Sequence, residues 1–430
     1  MPTRVERAQG ALFGLALGDA LGWPALFHTQ FRLRARRRAF LWRANARASQ
    51  QRIIRVAVPF SHRDPEELVA PGPSDDTELA LLTARILLQA GPRSVVRAAF
   101  ADGWRRLVLP SAEETFTGFA ERAALDNLAR GLEPPASGGD NPQHYDDAAC
   151  ARAVSIGIAF AGDPAAAARV AEWDAEVTHA EDGIFAAQAM AVAIAALVEG
   201  AHLRTAVAAA RATFPASSWI ASMDARAQRC ADRVAQRHSA HRGPEGSARS
   251  AAEDRAASRR AVDSSALRDS TLGPEGSARS AAEDRAASRR AVDSSAQADA
   301  ARGPEGSARS AAEDRGMAPG EAVDLALALA RDVIGGIYSY GNAAPETLPC
   351  AFVLAEACHA DLVSATTIAA TIARSADSLP ALVGALVGAY LGVDAVPPLW
   401  REALAEARGI CLPMVRGMRL AEVAEQLVSS

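Results

Sequence analysis

Apolar residues recur at helical spacing along most of the chain. The pattern runs from Ala148 to Ala161, from Ile184 to Glu199 and from Gly320 to Tyr338, with Ala and Gly thinning the contacts. "LPALVGALVGAYLG" sets Gly384, Gly388 and Gly392 four residues apart on one helix face, so a neighbouring helix can approach closely. "PSDDTELALLTARILL" predicts another helix, opening at Ser74. Strand alternation is sparse, and neither a GxGxxG nor a Walker-type loop occurs. These periods predict an all-α fold, a compact bundle of close-packed helices.

The pattern fails between 226 and 316. There "GPEGSARSAAEDR" begins at Gly243, Gly273 and Gly303, thirty residues apart. A solenoid is the first expectation for such a period. Each unit, however, lacks aromatics, holds few large apolar residues and balances acids against arginines, so stacked copies would bury almost nothing. The stretch is expected to be a disordered insertion carrying tandem repeats, with no part in the chemistry. The expected organisation is one helical domain from 1–225 and 317–430, interrupted by 226–316.

Composition sharpens this picture. Hydrophobic residues make up 49% of the 430 while aromatics make up 5%, so the core must be built from Ala, Leu, Val and Ile. A net charge of -5 argues against wholesale binding to nucleic acid or anionic lipid. The run from Arg32 to Arg47, arginines interleaved with Phe40 and Trp42, reads as a solvated or phosphate-facing loop, although it also has the make-up of a nucleic-acid patch. Five cysteines without CxxC spacing are expected to be free thiols, which places the chain in the cytoplasm. The apolar N-terminus is broken by Asp19, and neither a signal peptide nor a membrane span is expected.

Candidate chemistry lies at two helix starts. Asp75 and Asp76 sit between Ser74 and Thr77. Ser74 fits an N-cap, and acids in a first turn favour the helix dipole. One acid would satisfy that role. Adjacent carboxylates flanked by hydroxyls also offer hard oxygen ligands to a cation such as Mg2+. Asp377 and Ser378 repeat the theme ahead of the glycine-striped helix, and two such helix starts can converge on one cation. On the motifs alone, capping and metal binding both stand. Asp146 and Asp147 read either as a substrate-facing loop or as a turn and helix cap, and His179 as a substrate contact or a satisfied structural histidine.

Taken together with "GDALGWP" at Gly18 to Pro24, "THAEDGIFAAQAMAVAIA" from Thr178 and "YSYGNAAPETLP" from Tyr338 to Pro349, these boxes resemble the ADP-ribosylglycohydrolase family. The resemblance covers both flanks of the insertion. It implies an all-α orthogonal bundle and a magnesium-dependent hydrolase that cleaves the C1″ glycosidic bond of ADP-ribose on a protein side chain or small molecule. It implies Ser74, Asp75, Asp76, Asp377 and Ser378 as metal ligands, with Asp75, Asp76 and Asp377 catalytic. It further implies Tyr340 and Gly341 against substrate; beside them Asp146, Asp147 and His179 are candidate substrate contacts, and Asp19 is expected to orient the ligands. Two departures stand out: Ser375 occupies a position where the family's last box carries an acid, and Leu26 stands where a glutamate is common. One Mg2+ is therefore expected rather than a secure pair, and a metal-impaired module that only binds ADP-ribose is the alternative.

Overall fold

The computed structural model describes residues 1–22, 72–241, 316–335 and 341–430. Leu26, Tyr338, Tyr340, the Arg32–Arg47 run and the repeats fall outside them. The described residues are all-α, with β structure confined to two isolated bridges, Asp146 with Ala343 and Glu406 with Arg419. Leaving aside single turns, the helices are α1 (Arg4–Gly22), α2 (Asp75–Ala90), α3 (Ala98–Leu107), α4 (Phe119–Ala129), α5 (Ala148–Ala159), α6 (Pro164–Ala175), α7 (Asp182–Glu199), α8 (Leu203–Arg211) and α9 (Trp219–His241). The second stretch adds α10 (Pro319–Asp332), α11 (Ala344–Cys358), α12 (Leu362–Ala369), α13 (Leu379–Leu391), α14 (Pro398–Ala403) and α15 (Leu420–Ser429).

One compact unit holds Met1–Val234 and Met317–Ser430. Helix α9 runs unbroken through residue 225, where the sequence pattern had set the edge of the domain. Conversely, α10 stops at Asp332, short of the expected Tyr338.

Among the described residues, the closest helix pairing joins the first helix to one in the C-terminal stretch. Helices α1 and α13 meet backbone to backbone, because Gly10, Gly14, Gly18 and Gly22 face Gly388, Gly384, Pro380 and Ala376. An added Cβ on Gly14 would overlap the Gly384 carbonyl oxygen, and one on Gly384 would overlap that of Gly14. Buried glycines cost helix propensity. Here they let two helices approach with no side chain between them, which fixes how far Asp19 near the end of α1 lies from Ser378 at the start of α13.

Helix α7 forms the centre, packed on α5, α6 and α8. It is long and apolar enough to cross a membrane by length and composition, yet 72% of that window is buried inside the protein, as befits a core helix. Ser155 on α5 donates to the Ala80 carbonyl oxygen on α2 at 2.7 Å, a buried polar tie between the two helices that carry site residues at their starts. Cys150, Cys230, Cys350 and Cys358 are buried and Cys411 half-buried, all as free thiols.

Candidate active site

The starts of α2 and α13 converge, and neither serine caps its helix. Ser74 and Ser378 occupy the N-cap positions without a capping side-chain bond. The carboxylate of Asp19, buried on α1, takes over at α2. It accepts from the Ser74 backbone N–H at 2.9 Å, the Thr77 backbone N–H at 3.0 Å and the Thr77 hydroxyl at 2.8 Å, and also from the Ser74 hydroxyl. Burial raises the Asp19 pKa to about 6 against the pull of those four donors. The Ser378 hydroxyl crosses instead to Asp147 Oδ1 at 2.9 Å. The capping explanation for both hydroxyls is thereby corrected: Asp19 on α1 meets the Ser74 and Thr77 N–H groups of α2, and each serine hydroxyl is given to an acid from another element.

Four carboxylates gather around this point. Burial, then Asp377, Asp19 and Glu121, hold Asp75 well above its ordinary pKa. Burial, then Asp19, Asp75, Asp377 and Asp147, do the same to Asp76. Asp377 is raised by burial and relieved by Asn342, whose Nδ2 donates to Oδ2 at 3.1 Å. Asp147 is pushed to about 7 by burial and by Asp146, with the Thr347 and Ser378 hydroxyls pulling it back. Two of the outer oxygens, Asp76 Oδ2 and Asp147 Oδ2, are buried with no hydrogen-bond partner. Repelling carboxylates with unsatisfied oxygens are costly in an isolated fold. They suit a hard cation that prefers oxygen ligands, so the donor set fits the divalent ion expected from the sequence.

The remaining residues fall into place around this centre. Asp146 Oδ1 accepts from the Ala148 N–H at 3.1 Å and contacts His179 Nε2 at 2.6 Å. His179 is fully buried, and its Nδ1 lies 2.6 Å from the Thr178 hydroxyl. Burial foremost lowers the His179 pKa to about 3, so the ring is neutral. Gly341, at φ +91°, has its missing Cβ pressed on the Arg374 carbonyl oxygen, so its close approach is to the chain's own backbone. Arg374 is exposed, with its guanidinium over Gly335. Ser375 is buried and its hydroxyl has no partner.

Sequence reasoning missed three residues. Glu121 lies with Asp146 and His179 so that one carboxylate or ring atom of each falls within 4.8 Å of the others, although both ring nitrogens of His179 are already engaged by Thr178 and Asp146. Arg152 is fully buried; its Nε donates to Asp174 Oδ2 at 2.7 Å and its two terminal nitrogens reach Glu121 and Thr178. Asn342 holds a positive φ of 53°, uncommon outside glycine, in the loop that pairs with the Tyr145–Asp147 segment. The Gly-Asn pair at 341–342 was the available signal for that turn.

A family model described as ADP-ribosylglycohydrolase matches residues 1–430. The chain belongs to the ADP-ribosylglycohydrolase family. It is accordingly a glycohydrolase-type enzyme, and the family acts on ADP-ribosylated substrates. Among solved structures, one titled "ADP-ribosylglycohydrolase-related protein complex" is 20% identical, with 100% of this chain and 99% of that one covered at a TM-score of 0.49. The curated proteins give no match.

Proposed function

We propose that this ADP-ribosylglycohydrolase is magnesium-dependent and cleaves the C1″ glycosidic bond of ADP-ribose joined to a protein side chain or small molecule. The observation that carries the reading is the convergence of Asp75 and Asp76 on α2 with Asp377 ahead of α13, mutually repelling and with Asp76 Oδ2 unpartnered. Ser74, Asp75, Asp76, Asp377 and Ser378 would hold the ion. When bound, it supplies a polarised water and a template for the ribose hydroxyls.

The protein's own residues contribute fixed charge and position. Cleavage of a glycosidic bond passes through an oxocarbenium-like state, and carboxylates held beside the sugar favour that developing positive charge. Asp19 immobilises the start of α2, and with it Asp75 and Asp76. Asn342 keeps Asp377 in one orientation, and Ser378 does the same for Asp147. The serine at 375 offers a neutral, unpartnered oxygen where the family box carries an acid, and this favours one ion over two.

The same serine supports a second reading, a module that binds ADP-ribose without turning it over. Titration of Mg2+ into chelator-treated protein with ADP-ribose present, followed by a release assay on ADP-ribosylated arginine and serine peptides, separates the two. Magnesium binding with release supports the hydrolase. Ligand binding without release supports the module, and absence of both overturns each.

A further inference from the structure

Behind the carboxylates runs a chain of buried polar groups that the proposed reaction does not use directly. Arg152 NH2 donates to Thr178 Oγ1 at 2.7 Å. The guanidinium has donors only, so the Thr178 oxygen must accept there. Its own hydrogen then needs another acceptor, and His179 Nδ1 lies 2.6 Å away. A neutral imidazole whose Nδ1 accepts must carry its hydrogen on Nε2, and Nε2 lies 2.6 Å from Asp146 Oδ1. The other tautomer would strand the threonine hydrogen in the core.

We propose that Arg152, acting through the Thr178 hydroxyl, is a positioning residue that fixes His179 as the Nε2–H tautomer and so holds Asp146 and the Tyr145–Asp147 segment in register with the site. The role in turnover rests on the hydrolase reading above; the tautomer does not. Arg152 is itself pinned by Asp174, whose other oxygen accepts from Thr83 on α2 at 3.0 Å, and it lies 5.5 Å from the Trp104 ring centroid. At the far end, Asp146 bridges to Ala343, and the Ala344 N–H donates to the Tyr145 carbonyl oxygen at 2.9 Å. That pairing steadies the loop in which Asn342 holds Asp377. The relay therefore ends on two carboxylates of the site, Asp147 by chain continuity and Asp377 through the paired loop. At Gly118 an added Cβ would lie 3.0 Å from Glu121 Oε2 and 3.5 Å from Asp146 Oδ2, so a side chain there would crowd both acids.

The test uses the full chain labelled with 15N at its eight histidines, in magnesium buffer, with the His179 ring assigned by its loss in His179→Gln. The expected wild-type signature is a pyrrole-type Nε2 and a pyridine-type Nδ1 in one tautomer. Thr178→Val should populate both tautomers and lower kcat for ADP-ribose release about tenfold with KM unchanged, the scale of an outer-shell loss, and Thr178→Ser should restore both readouts. A wild-type ring protonated at Nδ1, or a Thr178→Val protein that keeps the single Nε2–H form, overturns the relay. The wild-type spectrum requires no variant to fold. If the wild type shows the Nε2–H form but releases no ADP-ribose, the hydrolase reading fails while the relay stands.

Discussion

The Asp19 carboxylate receives both the backbone N–H and the hydroxyl of Ser74, although the two residues come from different helices. An acid on α1 thus does the capping work at α2, and the acids of α2 itself are left for other use. Asp19→Ala is expected to cost about 2 kcal/mol of stability, the scale of a lost cap, and to weaken Mg2+ binding about tenfold or more. Chemical denaturation and calorimetric titration check the two. Loss of stability with unchanged Mg2+ affinity would separate the cap from the site.

Gly14 faces Gly384 with no room for a side chain. Gly14→Ala gains helix propensity yet must push α1 from α13, and a net loss of about 1–3 kcal/mol is expected. Because the same contact spaces Asp19 from Ser378, Mg2+ affinity should fall as well. A variant with an unchanged melting temperature would show that the helices are less tightly apposed than described.

Asp146 and Asp147 titrate near 7 and Asp19 near 6, each raised first by burial. Their ordinary value is 3.8, so between that pH and about 7 the folded protein binds more protons than the unfolded chain. Stability of the chelated protein should therefore fall as pH rises through this window. Asp75, Asp76 and Asp377 are raised too, so added Mg2+ competes with protons for their oxygens, and its stabilising effect should be larger at pH 8 than at pH 5. Melting curves across pH with chelator and with Mg2+ test both signs. An equal Mg2+ effect at both ends would place the ion away from these carboxylates.

Ser375 is buried with its hydroxyl unpartnered, in the box that brings Asp377 to the site. Ser375→Asp adds a negative charge to groups that already repel, and it should lower the melting temperature in chelator. With Mg2+ present it should bind the ion more tightly than the wild type. Unchanged affinity would mean that position 375 does not face the ion.

The fold was legible because its central helices, α5, α7 and α13, are apolar on nearly every face, and the site because Asp75 with Asp76 and Asp377 with Ser378 stand side by side in short boxes. Tertiary exchange was not legible. Ser74 and Ser378 have the sequence position of caps, and only the approach of Asp19 and Asp147 from elsewhere shows that they serve otherwise. Arg152 and Glu121 read as polar positions on helices α5 and α4, and nothing local reveals that they meet in the core. His179 reads either way in sequence; its partners Thr178 and Asp146 decide that both ring nitrogens are engaged. Tyr340 and Leu26 fall outside the described residues.

Glu78, two residues beyond Asp76 on α2, accepts the backbone N–H groups of Ile410, Cys411 and Leu412 at 2.9, 2.9 and 2.6 Å. The third acid of that first turn is tethered to a strap 332 to 334 residues further along the chain. Those three amides are a built-in reporter. Whatever stiffens the first turn of α2 should slow their exchange with solvent deuterium, so occupancy of the carboxylate centre can be followed from the opposite end of the polypeptide without touching a single residue of the centre itself.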